Sequence, residues 1–171
     1  MKDRYRRFAG TWESIGLSKK VKWRGYRIHE DVRASVISRM IDAFGSKAVE
    51  LLEDTYYQAG IADGKKMASA IGTAKKDALA ALLLIETVCL MSGVEAEYIE
   101  KKPEHAVLSI GGCPFREFFE GLEHPTNVAA CLRYIEGMVR SVNREAKVEI
   151  GKRYCEGSDK CNFTISVGHQ K

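Results

Sequence analysis

No run in this sequence is long and apolar enough to cross a bilayer, which takes roughly 18 such residues; the best candidate, Ala78 to Met91, is interrupted by Glu86. The opening MKDRYRRFAG has no apolar h-region, so a secretory leader is not expected. Gly-x-Gly-x-x-Gly, P-loop, His-Glu-x-x-His and Gly-x-Ser-x-Gly motifs are also missing, which removes their support for nucleotide-binding, zincin and serine-hydrolase readings. Internal repeats and low-complexity tracts are absent, and strands do not alternate with helices as a doubly wound sheet requires. These absences leave a soluble, cytoplasmic chain with reduced thiols as the expectation. The five cysteines, Cys89, Cys113, Cys131, Cys155 and Cys161, then favour metal binding or catalysis over a disulfide framework.

At 171 residues, 45% of them hydrophobic, the chain can bury the core of one domain without staples. Its net charge of +4 is uneven: residues 1–30 hold nine Lys or Arg against three acids, which leaves the remainder slightly acidic. Nucleic acid is therefore not the expected partner. Trp12 and Trp23 stand among Gly10, Gly16, Gly25 and cations without clean periodicity, so residues 1–30 read as an irregular basic arm. Such an arm either docks its tryptophans on the core or grips an acidic partner. The domain proper spans residues 31–171.

From Asp31, the spacing of Val32, Val36, Ile37, Met40, Ile41 and Phe44 predicts an amphipathic helix that Gly45 stops. Ser46 is placed to cap a second helix, with Val49, Leu52, Tyr56 and Ala59 on one face. Its continuation to Ala70 is left open, because Gly60 and Gly64 each cost about 1 kcal/mol inside a helix. Thr73 reads as the N-cap of a third helix, Ala74 to Ser92, apolar nearly all round and hence central, with Gly93 as its stop. Cys89 lies on it and reads as core.

Alternation of Val94, Ala96 and Tyr98, then of Val107 and Ser109 against Leu108 and Ile110, predicts a hairpin turning at Lys101–Glu104. A short helical piece near Phe115–Gly121, a firmer helix from Thr126 to Val142, and strands around Val148–Ile150 and Phe163–Val167 follow. The expected fold is α+β: N-terminal helices packed on a four-stranded antiparallel sheet, with a helical insertion between strands 2 and 3.

Cys155 and Cys161 flank the polar turn between the last two strands, where two thiolates can face each other. Two ligands do not make a tetrahedral zinc site. Cys113, ahead of Pro114, and Cys131, in the insertion helix, supply further soft ligands. Four thiolates would close the site, and three with water or a carboxylate would leave it open. The alternative is that these are buried thiols acting as small hydrophobes. His29, His105, His124 and His169 read as surface or turn residues, and His124 is the one placed to approach the cysteines.

Cys113-Pro114-Phe115, Cys131, Val142-Asn143, Tyr154-Cys155-Glu156-Gly157 and Cys161-Asn162-Phe163-Thr164-Ile165 together resemble the C-terminal half of V4R (4-vinyl reductase) domains, and the likeness extends over roughly residues 31–167. The resemblance implies a Bet3-like fold, a pocket between helices and sheet for a small hydrophobic or aromatic ligand, and a zinc near the C-terminal cysteines. Related sensor domains of phenol-responsive regulators place a Glu three residues before the first closing Cys; here that residue is Lys152. The implied zinc ligands are then Cys113, Cys131, Cys155 and Cys161, with Glu149 and Glu156 as weaker substitutes. Tyr56, Phe115, Phe119 and Tyr134 are the candidate pocket lining, though aromatic residues at helical spacing equally build a core.

The same cysteine order is also similar to the family of L-2-amino-thiazoline-4-carboxylate hydrolase. That resemblance implies a small metal- or cysteine-dependent hydrolase, with Cys113 or Cys131 as nucleophile or as ligand of an open metal. A third expectation is an assembly subunit, a role the Bet3-like fold also serves, and a homodimer through the early helices is expected on general grounds.

Overall fold

The computed structural model describes residues 6–7, 9–11, 32, 35–112 and 126–168, with the backbone alone for 126–130 and 155. Of the basic arm, residues 6–7 and 9–11 are helical, which corrects the irregular reading for that stretch. Helix α1 (35–44) ends at Gly45, whose amide donates to the Ile41 carbonyl, as the periodicity predicts. Helix α2 (Ser46–Ile71) starts immediately; Ser46 is its first residue rather than its cap, and Gly45 precedes it without a side-chain hydrogen bond. Ile37 and Ile41 of α1 pack on Ala48, Leu52 and Tyr56 of α2.

Helix α2 runs unbroken past Gly60 and Gly64 because both glycines face another helix. A Cβ on Gly60 would overlap the Tyr134 carbonyl, and one on Gly64 would overlap the Ser141 hydroxyl, both on α4 (Thr126–Val142). Gly137 of α4 meets the Tyr57 carbonyl in the same way. The two helices therefore cross at backbone contact and run in the same direction. The packing gained outweighs the roughly 1 kcal/mol of helix propensity that each glycine forfeits.

Helix α3 (Ala78–Met91) starts later than Thr73 predicts. Its N-cap is Asp77, whose carboxylate accepts from the Ala80 amide at 2.8 Å, and residues 73–76 are not helical. An Asp cap satisfies an end donor and favours the positive end of the helix dipole, two advantages that Thr does not combine. Asp77→Ala should cost about 1 kcal/mol, read as a lower urea midpoint at unchanged m-value. The helix ends as expected at Gly93: with φ 71° the chain turns back, so that Gly93 N–H reaches Leu90 O and Val94 N–H reaches Cys89 O. Glu86, the one acid in this apolar helix, accepts a 2.7 Å hydrogen bond from the Tyr98 hydroxyl.

Strands β1 (Glu95–Lys101), β2 (His105–Gly111), β3 (Lys147–Ile150) and β4 (Lys160–Ser166) form one antiparallel sheet in the order β1-β2-β4-β3. A register shift between Tyr98 and Glu100 leaves Ile99 outside and 61% exposed. The main core lies between one face of the sheet and helices α3 and α4: Leu82 and Ile85, Leu108 and Ile110, Val139, Phe163 and Ile165, with Cys89 among them. A second cluster of Ile71, Leu84 and Met138 joins α2 to α3 and α4. The fold is α+β with a four-stranded antiparallel sheet, as expected, and α4 is inserted between β2 and β3; the layers are sheet, α3 with α4, then α2. Among the described residues, no helix is long and apolar enough to cross a membrane.

Candidate functional site

Hydrogen bonding and register fix which ends of the elements meet. The Ala78 amide donates to the Pro103 carbonyl, so α3 starts at the β1–β2 turn and finishes where Glu95 pairs with Gly111. At the other end of α4, Asn143 Nδ2 donates to the Lys76 carbonyl at 2.9 Å, just ahead of α3, before the chain enters β3 opposite Ser166. Helix α4 therefore enters at the end of the sheet that holds Gly111 and Lys160. Cys131 stands about 16 Å along α4 from Val142, and Cys161 about 17 Å along β4 from Ser166, comparable heights above the sheet's opposite end.

Cys89, Cys131 and Cys161 are thus carried to one end of the domain, and so is the backbone of Cys155. Cys161, opposite Ile110, is half-buried against the core, Cys131 is exposed, and Cys89 is buried. The loop from β3 to β4 is tightly built: Gly151 and Asn162 extend the ladder through Gly151 N–H to Asn162 O and Asn162 N–H to Lys152 O. A single 3-10 turn, Tyr154–Glu156, presents the backbone of Cys155, and the Tyr154 amide donates to Cys161 Sγ at 3.1 Å. Arg153 Nε and Asn162 Oδ1 of this loop are buried with no hydrogen-bond partner among the described residues.

Cys113 lies outside the described residues, one position beyond Gly112, where β2 ends beside Lys160. Among the described residues no group of three His, Cys, Asp or Glu is close enough to hold a metal. Phe115, Phe119, His29, His124 and His169, and the helical piece expected near Phe115–Gly121, also fall outside them. Tyr56 packs in the α1–α2 cluster, whereas Tyr134 packs with Ile71, Leu84 and Met138, and its hydroxyl donates to Asp63 Oδ2 at 2.9 Å. His105 begins β2, with Nε2 3.6 Å from Glu100 Oε2.

A feature absent from the sequence-based expectations lies at the far end of α4. A cleft of about 800 Å³ opens between α2, the α2–α3 link and the end of α4, lined by Tyr57, Ile61, Lys65, Lys76, Arg140 and Arg144 among others. Arg140 pairs with Glu136 at 2.9 Å, and the Tyr57 hydroxyl, then Glu136, push its pKa above the ordinary arginine value. Arg133 lies over the Tyr57 ring, 4.7 Å from its centroid, and also bonds Glu136. No local signal in the sequence marks this cleft, since its cations come from three separate segments.

Two solved structures share the architecture. Trafficking protein particle complex subunit 3 from Naegleria fowleri, solved covalently bound to palmitic acid, is similar at a TM-score of 0.59 and 16% identity, covering 84% of this chain and 97% of that one. The phenol-responsive sensory domain of the transcription activator PoxR, solved with phenol, is similar at 0.57 and 12% identity, covering 81% and 74%. These likenesses show the fold, and it is the Bet3-like fold that the V4R resemblance implied. No curated protein sequence matches the chain. A sequence model of the L-2-amino-thiazoline-4-carboxylic acid hydrolase family matches residues 25–165, from ahead of α1 to all but the last residue of β4. The second of the two resemblances is thereby the one matched, and the chain belongs to the L-2-amino-thiazoline-4-carboxylic acid hydrolase family.

Proposed function

We propose that this chain is a small-molecule-binding domain that takes a hydrophobic or aromatic ligand at the cysteine-bearing end of the sheet, where a structural zinc ties α4 to the β3–β4 loop. The observation that carries it is the meeting of three segments at that end: the exit of β2, the entry of α4 and the turn holding Cys155 and Cys161. The two solved structures that share the fold support it, one bound to palmitic acid and the other solved with phenol. Cys113, Cys131, Cys155 and Cys161 are the proposed zinc ligands, a soft four-thiolate set. The Tyr154 amide directed at Cys161 suits a metal-bound thiolate. Tyr56, Phe115, Phe119 and Tyr134 are the proposed lining: Tyr56 stands on the half of α2 nearest this end and Tyr134 at the middle of α4.

Native mass spectrometry with elemental analysis of freshly purified chain tests both parts. One zinc per chain is expected, lost from the Cys155→Ser/Cys161→Ser double variant, together with uptake of phenol or palmitic acid. Freely titrating thiols without zinc would remove the staple, and failure to take up either probe would remove the ligand reading. The same spectra test a homodimer through the early helices, which the exposed apolar side chains of Val36, Phe44 and Leu51 favour.

Family membership favours a second reading, a hydrolase that opens a thiazoline ring, with Cys113 or Cys131 as nucleophile or as ligand of an open metal. Turnover of L-2-amino-thiazoline-4-carboxylate that Cys113→Ala abolishes while the thermal midpoint holds would establish it. A closed four-thiolate site without turnover would dismiss it.

A further inference from the structure

We infer that the cleft between α2 and the C-terminal end of α4 is a second ligand site, one that binds a phosphate monoester through Lys65, Lys76 and Arg144. Its cations come from the C-terminal third of α2, the α2–α3 link and the second residue past the end of α4, and all line one cleft of about 800 Å³. That volume is in the range of pockets for small organic ligands. Arg140 is committed to Glu136 and Tyr57, whereas Lys65, Lys76 and Arg144 have no acidic partner among the described residues. One carboxylate, Glu145, shares the lining, so three uncommitted cations against one acid leave an excess of +2. A phosphate monoester near neutral pH carries about −1.5 to −2, which matches that excess better than the single charge of a carboxylate does.

Complementing the helix dipole does not account for the cluster. Cations in the last turn of a helix satisfy its negative end, and Arg140 occupies that position on α4. Lys65 lies inside α2 and Lys76 belongs to no helix, yet both line the same cleft. The wall is rigid where it needs to be: Asn143 is buried and bonded on both sides, to the Lys76 carbonyl and from the Glu145 amide, which holds the two cationic segments against each other. Tyr57 and Ile61, both half-buried, give an apolar surface for the body of the ester. The site therefore suits a monoester with an aromatic or apolar group, and it lies at the opposite end of α4 from the cysteines.

Phenyl phosphate is the probe, titrated calorimetrically into the full chain at low ionic strength, with phenol and benzoate as comparisons. Saturable binding with Kd below roughly 1 mM is expected for phenyl phosphate, and weaker binding for benzoate. Lys65→Gln, Lys76→Gln and Arg144→Gln should each weaken it about fivefold, and the Lys65→Gln/Lys76→Gln double variant should lose it, with thermal midpoints unchanged because these side chains are exposed. Lys47→Gln, an exposed cation on the first turn of α2, should leave it unchanged. The same phosphate chemistry is offered by a lipid headgroup, so sedimentation with phosphatidylcholine vesicles containing phosphatidic acid is the second arm. Capture by vesicles that the double variant loses would assign the site to the headgroup, and binding of the soluble probe alone would assign it to a free ester. No saturable binding in either arm, or equal weakening by Lys47→Gln, would overturn the inference. Phenol uptake that survives in the double variant leaves the cysteine-end reading standing whichever way this test falls.

Discussion

Replacing Gly60 by alanine is expected to destabilise the domain by about 2–3 kcal/mol, a fall of roughly 5–10 °C in thermal midpoint. On an exposed helix face the same change would stabilise by about 1 kcal/mol, because alanine is the better helix former. The sign reverses here because the new methyl would occupy the position of the Tyr134 carbonyl, on a neighbouring backbone that cannot swing aside as a long side chain would. Either α2 and α4 separate, loosening the contacts around Met138, or Tyr134 is displaced and its hydrogen bond to Asp63 stretches. Ala62, exposed two residues further on, supplies the control: Ala62→Gly should cost about 1 kcal/mol, the ordinary propensity difference. A Gly60→Ala protein that melts higher than the parent would refute the close crossing.

Asn143→Ala should cost about 2–3 kcal/mol. Asn143 is 7% exposed, and its amide does two tasks at once, donating to the Lys76 carbonyl at 2.9 Å and accepting from the Glu145 amide at 2.9 Å. Alanine removes both hydrogen bonds at a buried position and leaves the Lys76 carbonyl and the Glu145 N–H without their side-chain partner, which is the costly way to lose a hydrogen bond. Equilibrium urea unfolding gives the global loss. Amide exchange gives the local one: the Glu145 N–H should exchange faster in the variant even under conditions where the strands stay protected. Unchanged protection at Glu145 would mean that the side chain does not organise this turn.

The two glycines of α2 show where sequence reasoning reached its limit. In isolation a glycine carries one signal for two opposite situations, a helix that stops and a helix that touches another backbone, and only the position of Tyr134 and Ser141, some 75 residues away, separates them. Gly45 and Gly93 were legible because the apolar periodicity stops at each. The strands were legible because the alternation of Ala96 and Tyr98, and of Leu108 and Ile110, matches a sheet buried on one face. Thr73 misled as a cap because it precedes a run that is helix-compatible in composition, and Asp77 had the stronger end chemistry four residues later. Cys155 and Cys161 could be read as neighbours because a short turn joins them. Lys65, Lys76 and Arg144 could not, because solvated cations on three separate segments look alike until the fold draws them to one cleft.

The strand order carries a consequence for how the molecule is made. β4, the last strand, is not at an edge; it lies between β2 and β3 and supplies Phe163 and Ile165 to the main core. Until residues 160–166 are available, β2 has β1 on one side only, and its apolar row of Ala106, Leu108 and Ile110 faces a sheet that is half assembled. During ribosomal synthesis the helices can form early, from local contacts, whereas the sheet must wait for a pairing whose partners lie 49 to 61 residues apart. A nascent chain stalled before Lys160 would therefore present β2 as an unpaired apolar edge, the form most exposed to aggregation and to capture by chaperones.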